Sequence, residues 1–384
     1  MAKPQSSPPS SIRPSAMSWW APRYWVGANF SGWTRELAVN RFAVSPTRAH
    51  MAVAGTIYSV FNSSLGVLEN LIYRSRVAAT PITHEPIFIL GHWRCGTTLL
   101  HELLILDPEH ASPNTWQCFA ANHFLLSEQI GKKLLWFMLP AQRPMDNMPL
   151  GWDNPQEDEF ALCNLGIPSP YLSILFPNAP PRYPQYLDLA GLSAEELDRW
   201  KGTLHRFLQR VSYRERKRLV LKSPPHTARV KTLLELFPDA RFVHMVRDPE
   251  VLFASTMHLW KSLYESQGLQ RPSFDGLEEH VFETFNRLHQ KFQEERALIA
   301  PNRLCEMRYE DLVNAPLPQL DALYAQLELG DFKRARPRVE QYFNREKNYK
   351  TNRYELDDAR RAEIRERWGD YLKTHGYERT RDGC

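Results

Sequence analysis

The chain has 384 residues, with 48 lysines and arginines against 44 aspartates and glutamates, so its formal net charge is +4. This charge is too small for a protein that coats nucleic acid, and 43 % hydrophobic with 24 % charged residues excludes a fibrous or largely disordered chain. The five cysteines form no C-x-x-C pair, which argues against a disulfide framework or a zinc site. A globular, enzyme-like protein with reduced thiols, located in the cytoplasm, is therefore predicted.

The N-terminal region divides into two predicted parts. Residues 1–18 are rich in proline and serine and predict a flexible tail without a secretory signal, whereas residues 19–83 predict a helical extension that ends near Pro81. Residues 51–68 are uncharged and just long enough to span a membrane. Apolar residues nevertheless recur at a spacing of three and four, which favours an amphipathic helix packed on the protein and leaves peripheral membrane contact open. These residues are Val53, Ile57, Phe61, Leu65, Leu68 and Ile72.

From residue 84 to 384 the pattern is that of one α/β domain. Short apolar runs at 86–90, 219–222, 240–246 and 304–308 predict strands, and the segments 97–106, 226–237 and 250–260 predict the helices between them. This alternation predicts a central parallel sheet with right-handed crossovers. Residues 168–184 contain six prolines and predict a surface loop, while helices are expected from a capping box at Ser193 and Glu196, over 274–298 and over 357–371.

The segment after the first strand, GHWRCGTT at 91–98, has the frame of a phosphate-binding loop. Two glycines five residues apart stand between a strand and a helix, an arrangement that predicts a bound anion, although an ordinary tight turn has the same pattern. A nucleotide kinase needs a lysine directly after the second glycine and a magnesium-binding aspartate. Thr97 takes the place of that lysine, so a kinase is the weaker interpretation.

GHWRCGTTLLHELL resembles the loop with which sulfotransferases hold the 5′-phosphosulfate of their donor. Trp93 and Cys95 depart from the usual proline and serine of that loop. Further downstream, ARFVHMVRDPEVLFAST has the arginine and serine with which the family binds the 3′-phosphate, and RYEDL has a tyrosine beside the adenine. The resemblance covers about Pro86 to Leu312 and implies donor contacts by Arg94, Cys95, Gly96, Thr97, Thr98, Arg247, Ser255 and Tyr309.

Two further segments fit this resemblance, which is to bacterial sulfotransferases related to tyrosylprotein sulfotransferases. Lys222 ends a predicted strand, at the edge where ligands of open α/β folds bind, and in the family a lysine there touches the transferred sulfonate. The acidic run PQEDE at 155–159 predicts a helix start, with a role facing the acceptor as the alternative. The cations around Lys347 and Lys350 match the family only loosely.

The resemblance implies transfer of a sulfonate from 3′-phosphoadenosine 5′-phosphosulfate to an acceptor hydroxyl or amine by in-line displacement. Arg94 and Lys222 are expected to stabilise the developing charge, and Glu102 to take the proton, with His101 and the run 157–159 as rivals. No metal is expected, since Ile105 stands where an H-E-x-x-H motif would place its second histidine. The acceptor stays open among small molecules, lipids and carbohydrates, and the alternatives are a kinase or a non-catalytic, membrane-associated nucleotide-binding protein.

Overall fold

A computed structural model describes residues 23–138, 151–345 and 354–378 of the chain. Its centre is a parallel five-stranded sheet in the order β2-β3-β1-β4-β5. The strands are β1 (Ile87–Leu90), β2 (His110–Ala111), β3 (Arg218–Lys222), β4 (Arg241–Val246) and β5 (Leu304–Arg308). The α/β class with a central parallel sheet is thus confirmed.

Helices cover both faces of the sheet and form the N-terminal region. In chain order the α-helices of the described residues are α1 (Phe30–Val39), α2 (Ala49–Ala78), α3 (Thr97–Leu104), α4 (Thr115–Phe119), α5 (Phe124–Leu134), α6 (Asp158–Asn164), α7 (Ala194–Arg214), α8 (Val230–Leu236), α9 (Pro249–Gln267), α10 (Leu277–Glu295), α11 (Tyr309–Asn314), α12 (Pro316–Gln326), α13 (Arg336–Arg345), α14 (Asp358–Arg367) and α15 (Gly369–Thr374).

The middle strand β1 sets the position of the site. All four of its residues are buried, as expected of a strand covered on both faces. Ile89 pairs with Lys222 of β3 on one side, and Leu90 pairs with His244 of β4 on the other. Because the three strands are parallel and in this register, the segments that follow them meet at the carboxyl edge of the sheet.

The strands predicted from the apolar runs are all present, and β2, with only two residues, was too short to be predicted. Ser193 makes both hydrogen bonds of the capping box and begins α7 as expected. The helix predicted over 226–237 is instead a 3₁₀ turn, Pro224–Ala228, followed by α8. The last predicted helix is divided between α14 and α15.

The prediction that 168–184 forms a surface loop is wrong for its first half. Pro170–Ile174 is a 3₁₀ helix, and it lies in the core, where Tyr171, Ile174 and Phe176 are at most 2 % exposed. Prolines exclude a central strand or a helix interior, but they do not prevent burial of a short turn. The apolar side chains between the prolines are buried, and their burial places this segment in the core.

The helical N-terminal extension is present as α1 and α2, while the proposed tail, 1–18, lies outside the described residues. The expectation that the apolar residues of α2 pack on the protein is wrong: Val53, Ile57 and Phe61 point outward, and polar side chains face inward. Within the described part of the chain, Pro46–Ala78 is the one helical stretch long and apolar enough to cross a membrane. The division into extension and domain stays a prediction, and Trp33 of α1 shares one hydrophobic cluster with β1.

Candidate active site

The loop that connects β1 to α3, residues 91–98, is here called the donor loop. Both of its glycines have left-handed backbone angles, with φ of 134° at Gly91 and 95° at Gly96. A β-carbon at Gly91 would lie 2.5 Å from the Cys95 sulfur, and one at Gly96 would lie 2.3 Å from the Tyr309 ring. Only glycine fits at these two positions, so the glycines allow the loop to pack tightly against Cys95 and Tyr309.

The residues predicted to bind the 3′-phosphate lie beside the donor loop. Arg94 donates from Nε to the hydroxyl of Ser255 at 2.9 Å, although the two residues are 161 positions apart. Arg247 donates from its guanidinium to the carbonyl of Arg94 at 2.8 Å and lies 4.2 Å from the centre of the Tyr309 ring. The structure therefore brings Arg94, Gly96, Arg247, Ser255 and Tyr309 to one place.

The backbone of Arg247 is held by the C-terminal helix α15. The hydroxyl of Tyr371 accepts from the Arg247 N–H and donates to the Arg247 carbonyl, both at 3.0 Å. The next residue, Asp248, caps α9 by accepting from the N–H of Glu250 at 2.9 Å. Asp248 is thus used as a helix cap, and the Arg247 guanidinium contacts the donor loop.

The remaining loop residues combine burial with hydrogen bonding. Thr227 accepts from the Gly91 N–H at 2.7 Å and ties the start of the loop to the segment after β3. Burial raises the pKa of the Cys95 thiol to about 12, so this side chain is uncharged at neutral pH. Thr97 is buried and Thr98 half-buried, and both begin α3, where N–H groups are available to an anion.

Lys222, at the end of β3, pairs with a carboxylate that the sequence left as a minor candidate. Its ammonium contacts Glu157 Oε1, and both side chains are nearly buried. The other oxygen of Glu157 accepts from the Tyr171 hydroxyl, which in turn accepts from the Trp93 indole N–H at 3.0 Å. Trp93 belongs to the donor loop, so this chain of contacts joins Lys222 and Glu157 to it.

The run Glu157–Glu159, here called the carboxylate segment, is held by the segment that follows β3. Asp158 accepts from Ser223 at 2.9 Å and from His226 at 2.7 Å. Burial alone would raise the pKa of Asp158, but His226 and the hydrogen bonds outweigh it and leave that pKa lowered. Glu159 pairs with the fully buried Arg229 at 2.6 Å. Only Glu157 of the three faces Lys222.

The two other candidate bases lie elsewhere. His101 is buried against β3, 3.2 Å from the Val220 carbonyl, and burial lowers its pKa to about 3. Glu102 faces α13 and accepts from the Tyr342 hydroxyl at 2.7 Å. Of the three candidates, Glu157 forms the ion pair with Lys222, while His101 is near enough for the charge of Lys222 to contribute to its lowered pKa.

Some residues of this site carried no signal in the sequence. Tyr171 lies in the segment predicted to be a surface loop, and Tyr371 lies 124 residues from Arg247, which it holds. Thr227 stands in the segment after β3, where no pattern marked it as a partner of Gly91. Lys347 and Lys350 lie outside the described residues. In the parts of the chain that the structure covers, no cluster of histidine, cysteine and carboxylate side chains has the grouping of a metal site.

Comparisons with known proteins agree with this geometry. The sequence model of the sulfotransferase family matches residues 86–334. The omega-hydroxy-beta-dihydromenaquinone-9 sulfotransferases Stf3 of Mycobacterium bovis and of Mycobacterium tuberculosis are each 50 % identical over 370 residues, 96 % of this chain and 95 % of theirs.

Two solved structures share the fold at low sequence identity. Sulfotransferase STF9 from Mycobacterium avium has a TM-score of 0.67 and 19 % identity, with 90 % of this chain and 92 % of that chain covered. Sulfotransferase STF1 from Mycobacterium tuberculosis has a TM-score of 0.63 and 19 % identity, with 90 % and 94 % covered. Both likenesses extend through the N-terminal helices as well as the sheet.

Proposed function

This chain belongs to the sulfotransferase family and is a sulfotransferase; from that premise we propose that its donor is 3′-phosphoadenosine 5′-phosphosulfate and its acceptor the terminal hydroxyl of an isoprenoid quinone lipid. The 50 % identity to Stf3 over nearly the whole chain carries the acceptor part. A kinase is not favoured, since Thr97 replaces the lysine that such a loop needs.

The donor assignment is supported by the fit of the donor loop to a phosphosulfate. Gly91 and Gly96 let the loop pack tightly against Cys95 and Tyr309, and the loop leads directly to the N–H groups at the start of α3, where an anion can bind. Arg94 and Arg247 provide guanidinium groups at the same place, and a guanidinium binds phosphate oxygens in bidentate fashion. When bound, the donor would supply the activated sulfonate.

We assign Glu157 as the base that accepts the proton of the acceptor hydroxyl. Its carboxylate would accept the proton of the acceptor hydroxyl while that oxygen forms its bond to sulfur and the bond from sulfur to the phosphate oxygen breaks. Lys222 and Arg94 would stabilise the negative charge that grows on the departing oxygen. Contact between Lys222 and Glu157 supports this choice over Glu102, which bonds to Tyr342.

An apolar acceptor is supported by the aromatic side chains that pack beside Glu157. Ring centres of Phe160 lie 5.0 Å from Tyr24 and 5.2 Å from Tyr171, and Trp93 follows at 5.9 Å from Tyr171. Tyr24, Trp93 and Tyr171 are at most 6 % exposed, so these rings form apolar packing behind Glu157. Because the proposed acceptor is a lipid, the proposal also includes peripheral contact between a cytoplasmic enzyme and a membrane.

The test is an assay with purified protein and radiolabelled donor. We expect label in an omega-hydroxylated menaquinone and none in the same quinone without the hydroxyl. A disaccharide and a tyrosine peptide serve as rival acceptors, and labelled ATP tests the kinase alternative. Transfer to the sugar or peptide, with none to the quinone, would contradict the proposed acceptor and leave the donor assignment standing.

A further inference from the structure

Helix α2 is amphipathic in the reverse sense to a helix that packs on a soluble core. The side that faces the protein contains glycine and polar residues, among them Gly55, Ser59, Asn62 and Glu69, and Glu69 is only 3 % exposed. The side that faces outward is apolar. Helices of soluble proteins ordinarily place these two kinds of residue the other way round.

The inward polar side chains fix the rotation of α2 about its axis. Asn62 donates to the carbonyls of Val26 and Ala28 at 2.7 and 3.1 Å and is 3.0 Å from a ring nitrogen of His123. Glu69 pairs with Arg210 and accepts from the Leu126 N–H at 3.2 Å. Rolling the helix to bury its apolar side would break these bonds and leave polar groups unpaired.

The outward side of α2 is largely apolar and is here called the docking face; Ser64 is exposed within it and donates its hydroxyl to the Val60 carbonyl at 2.9 Å. Its side chains are 43 to 77 % exposed. At 1.5 Å per residue, the docking face extends about 28 Å along the helix. Ordinary protein surfaces carry scattered single apolar residues, and an apolar patch of this length is larger than that. The docking face consists of Val53, Ile57, Tyr58, Val60, Phe61, Val67, Leu68, Leu71 and Ile72.

The charges around the docking face match an anionic lipid surface. Apart from His50, α2 has three residues that are charged at neutral pH: Glu69, which is buried and paired, and Arg74 and Arg76, which are exposed at its C-terminal end. Its exposed side therefore carries positive charge and no carboxylate. The neighbouring helix α5 continues into further exposed residues of the kind found at membrane interfaces, including Ile130, Lys133, Leu134, Trp136 and Phe137.

We propose that α2 lies in the plane of an anionic phospholipid bilayer, with the docking face inserted among the acyl chains and Arg74 and Arg76 at the headgroups. An in-plane position follows from the inward side, because a spanning helix would expose Asn62 and Glu69 to hydrocarbon. The inference does not depend on the identity of the acceptor. It also links the bilayer to the site: Val26 and Ala28 bind Asn62 and follow directly after Tyr24, whose ring packs on Phe160.

The test is flotation of the full chain with vesicles of phosphatidylcholine alone or mixed with phosphatidylglycerol. We expect the parent protein to float with the mixed vesicles and to be released by high salt or alkaline carbonate. The double variant Ile57→Asp with Leu71→Asp should lose binding by tenfold or more, because both carboxylates would enter the apolar layer. A matched double variant at exposed apolar residues elsewhere, Leu298→Asp with Val313→Asp, should float like the parent.

Replacing Arg74 and Arg76 with glutamine should reduce binding to the mixed vesicles by roughly tenfold and make the remaining binding less dependent on salt. Failure of the parent to float, or equal flotation of the Ile57 and Leu71 variant, would overturn the proposal. Retention after carbonate would overturn it in favour of a spanning helix. If the parent protein did not bind vesicles but formed a dimer, and the Ile57→Asp with Leu71→Asp variant were a monomer, a second copy of the chain would cover the docking face and the proposal would be overturned.

Discussion

The donor loop and the carboxylate segment lie at the same edge of the sheet but are held in different ways. The donor loop is held by hydrogen bonds that are not ion pairs, such as the bond from the Gly91 N–H to the Thr227 hydroxyl and the bond from the Arg247 guanidinium to the Arg94 carbonyl. The carboxylate segment is held by buried charges, above all by Arg229 on Glu159. Both regions depend on partners far along the chain, 136 to 161 residues away for the donor loop and 65 to 70 residues away for the carboxylate segment, but only the carboxylate segment is held by buried ion pairs.

This difference predicts that damage to the two regions has different consequences. Removal of one charge from a buried pair leaves the other unpaired, which reduces the free energy of unfolding of the whole fold. Loss of a contact in the donor loop leaves a partly solvated site and should act on ligand binding instead. The predictions below test this contrast, from the largest expected effect to the smallest.

The largest effect is expected from Arg229→Ala. It leaves Glu159 buried without its guanidinium, so the free energy of unfolding should fall by about 3–5 kcal/mol. Urea denaturation measures this directly. The matched control is Arg287→Ala, which removes a more exposed pair with Asp188 and should cost at most about 1 kcal/mol. Equal effects of the two variants would remove the contrast between buried and exposed charges.

Glu157→Gln tests whether the first carboxylate of the segment has a chemical role and not only a structural one. Glutamine keeps a hydrogen-bond acceptor for Lys222 and Tyr171 but takes no proton at neutral pH, so kcat should fall by about 10²-fold or more. Steady-state kinetics and calorimetry with adenosine 3′,5′-bisphosphate measure the two parts, and donor affinity should be nearly unchanged. Glu102→Gln is the matched control; a large loss there, with a normal Glu157→Gln enzyme, would transfer the role to Glu102.

Arg247→Ala tests the donor side. Loss of a charge-assisted, bidentate contact should weaken the binding of adenosine 3′,5′-bisphosphate by roughly tenfold to a hundredfold, about 1.5–3 kcal/mol, with little effect on unfolding. Calorimetry gives the affinity, and urea denaturation gives the stability. Arg303→Ala, which changes a surface pair with Asp239, serves as control. Unchanged affinity would mean that Arg247 does not contact the donor.

Acid should affect the two regions in different pH ranges. His92, within the donor loop, and His101, just after it, have pKa values lowered to about 3 by burial. The unfolded chain therefore takes up protons on them below about pH 6.5 while the folded chain does not, and stability falls as pH decreases from there. The pKa of Asp158 is lowered as well, so its stabilising effect is present above its ordinary value of 3.8 and is lost only below it.

Unfolding free energies measured between pH 7 and pH 4 test this difference. The His101→Gln variant should show a slope shallower than that of the parent by up to about 1.4 kcal/mol per pH unit. Asp158→Asn should change the stability but not this slope. An unaltered slope in the His101 variant would mean that the histidine is protonated in the folded state.

The sequence predicted most of the fold and the donor side, because both are encoded locally. Each strand of four or more residues appeared as an apolar run, and Arg94, Gly96, Arg247, Ser255 and Tyr309 stand in spaced motifs. The acidic run could not be resolved in this way. Three adjacent carboxylates look alike in a sequence, and only the positions of their distant partners distinguish Glu157 from Asp158 and Glu159.

The orientation of α2 could not be predicted for a related reason. A spacing of three and four identifies an apolar side of a helix, but not whether that side meets protein or another apolar medium. The informative signal was on the opposite side, where Asn62 and Glu69 repeat at seven residues and find partners in α7 and in the segment before α1. Their importance depends on contacts that no local pattern contains.

The double hydrogen bond of Tyr371 to the backbone of Arg247 has a consequence for synthesis of the protein on the ribosome. All five strands have been made once residue 308 has emerged, and the donor loop already has its glycines and Thr227. The arginine assigned to the 3′-phosphate, however, is not held until a residue 124 positions later has left the exit tunnel and α15 has docked. The bonds that fix the backbone of this arginine are therefore completed by a residue 63 positions after the last strand, and the strands alone do not provide them.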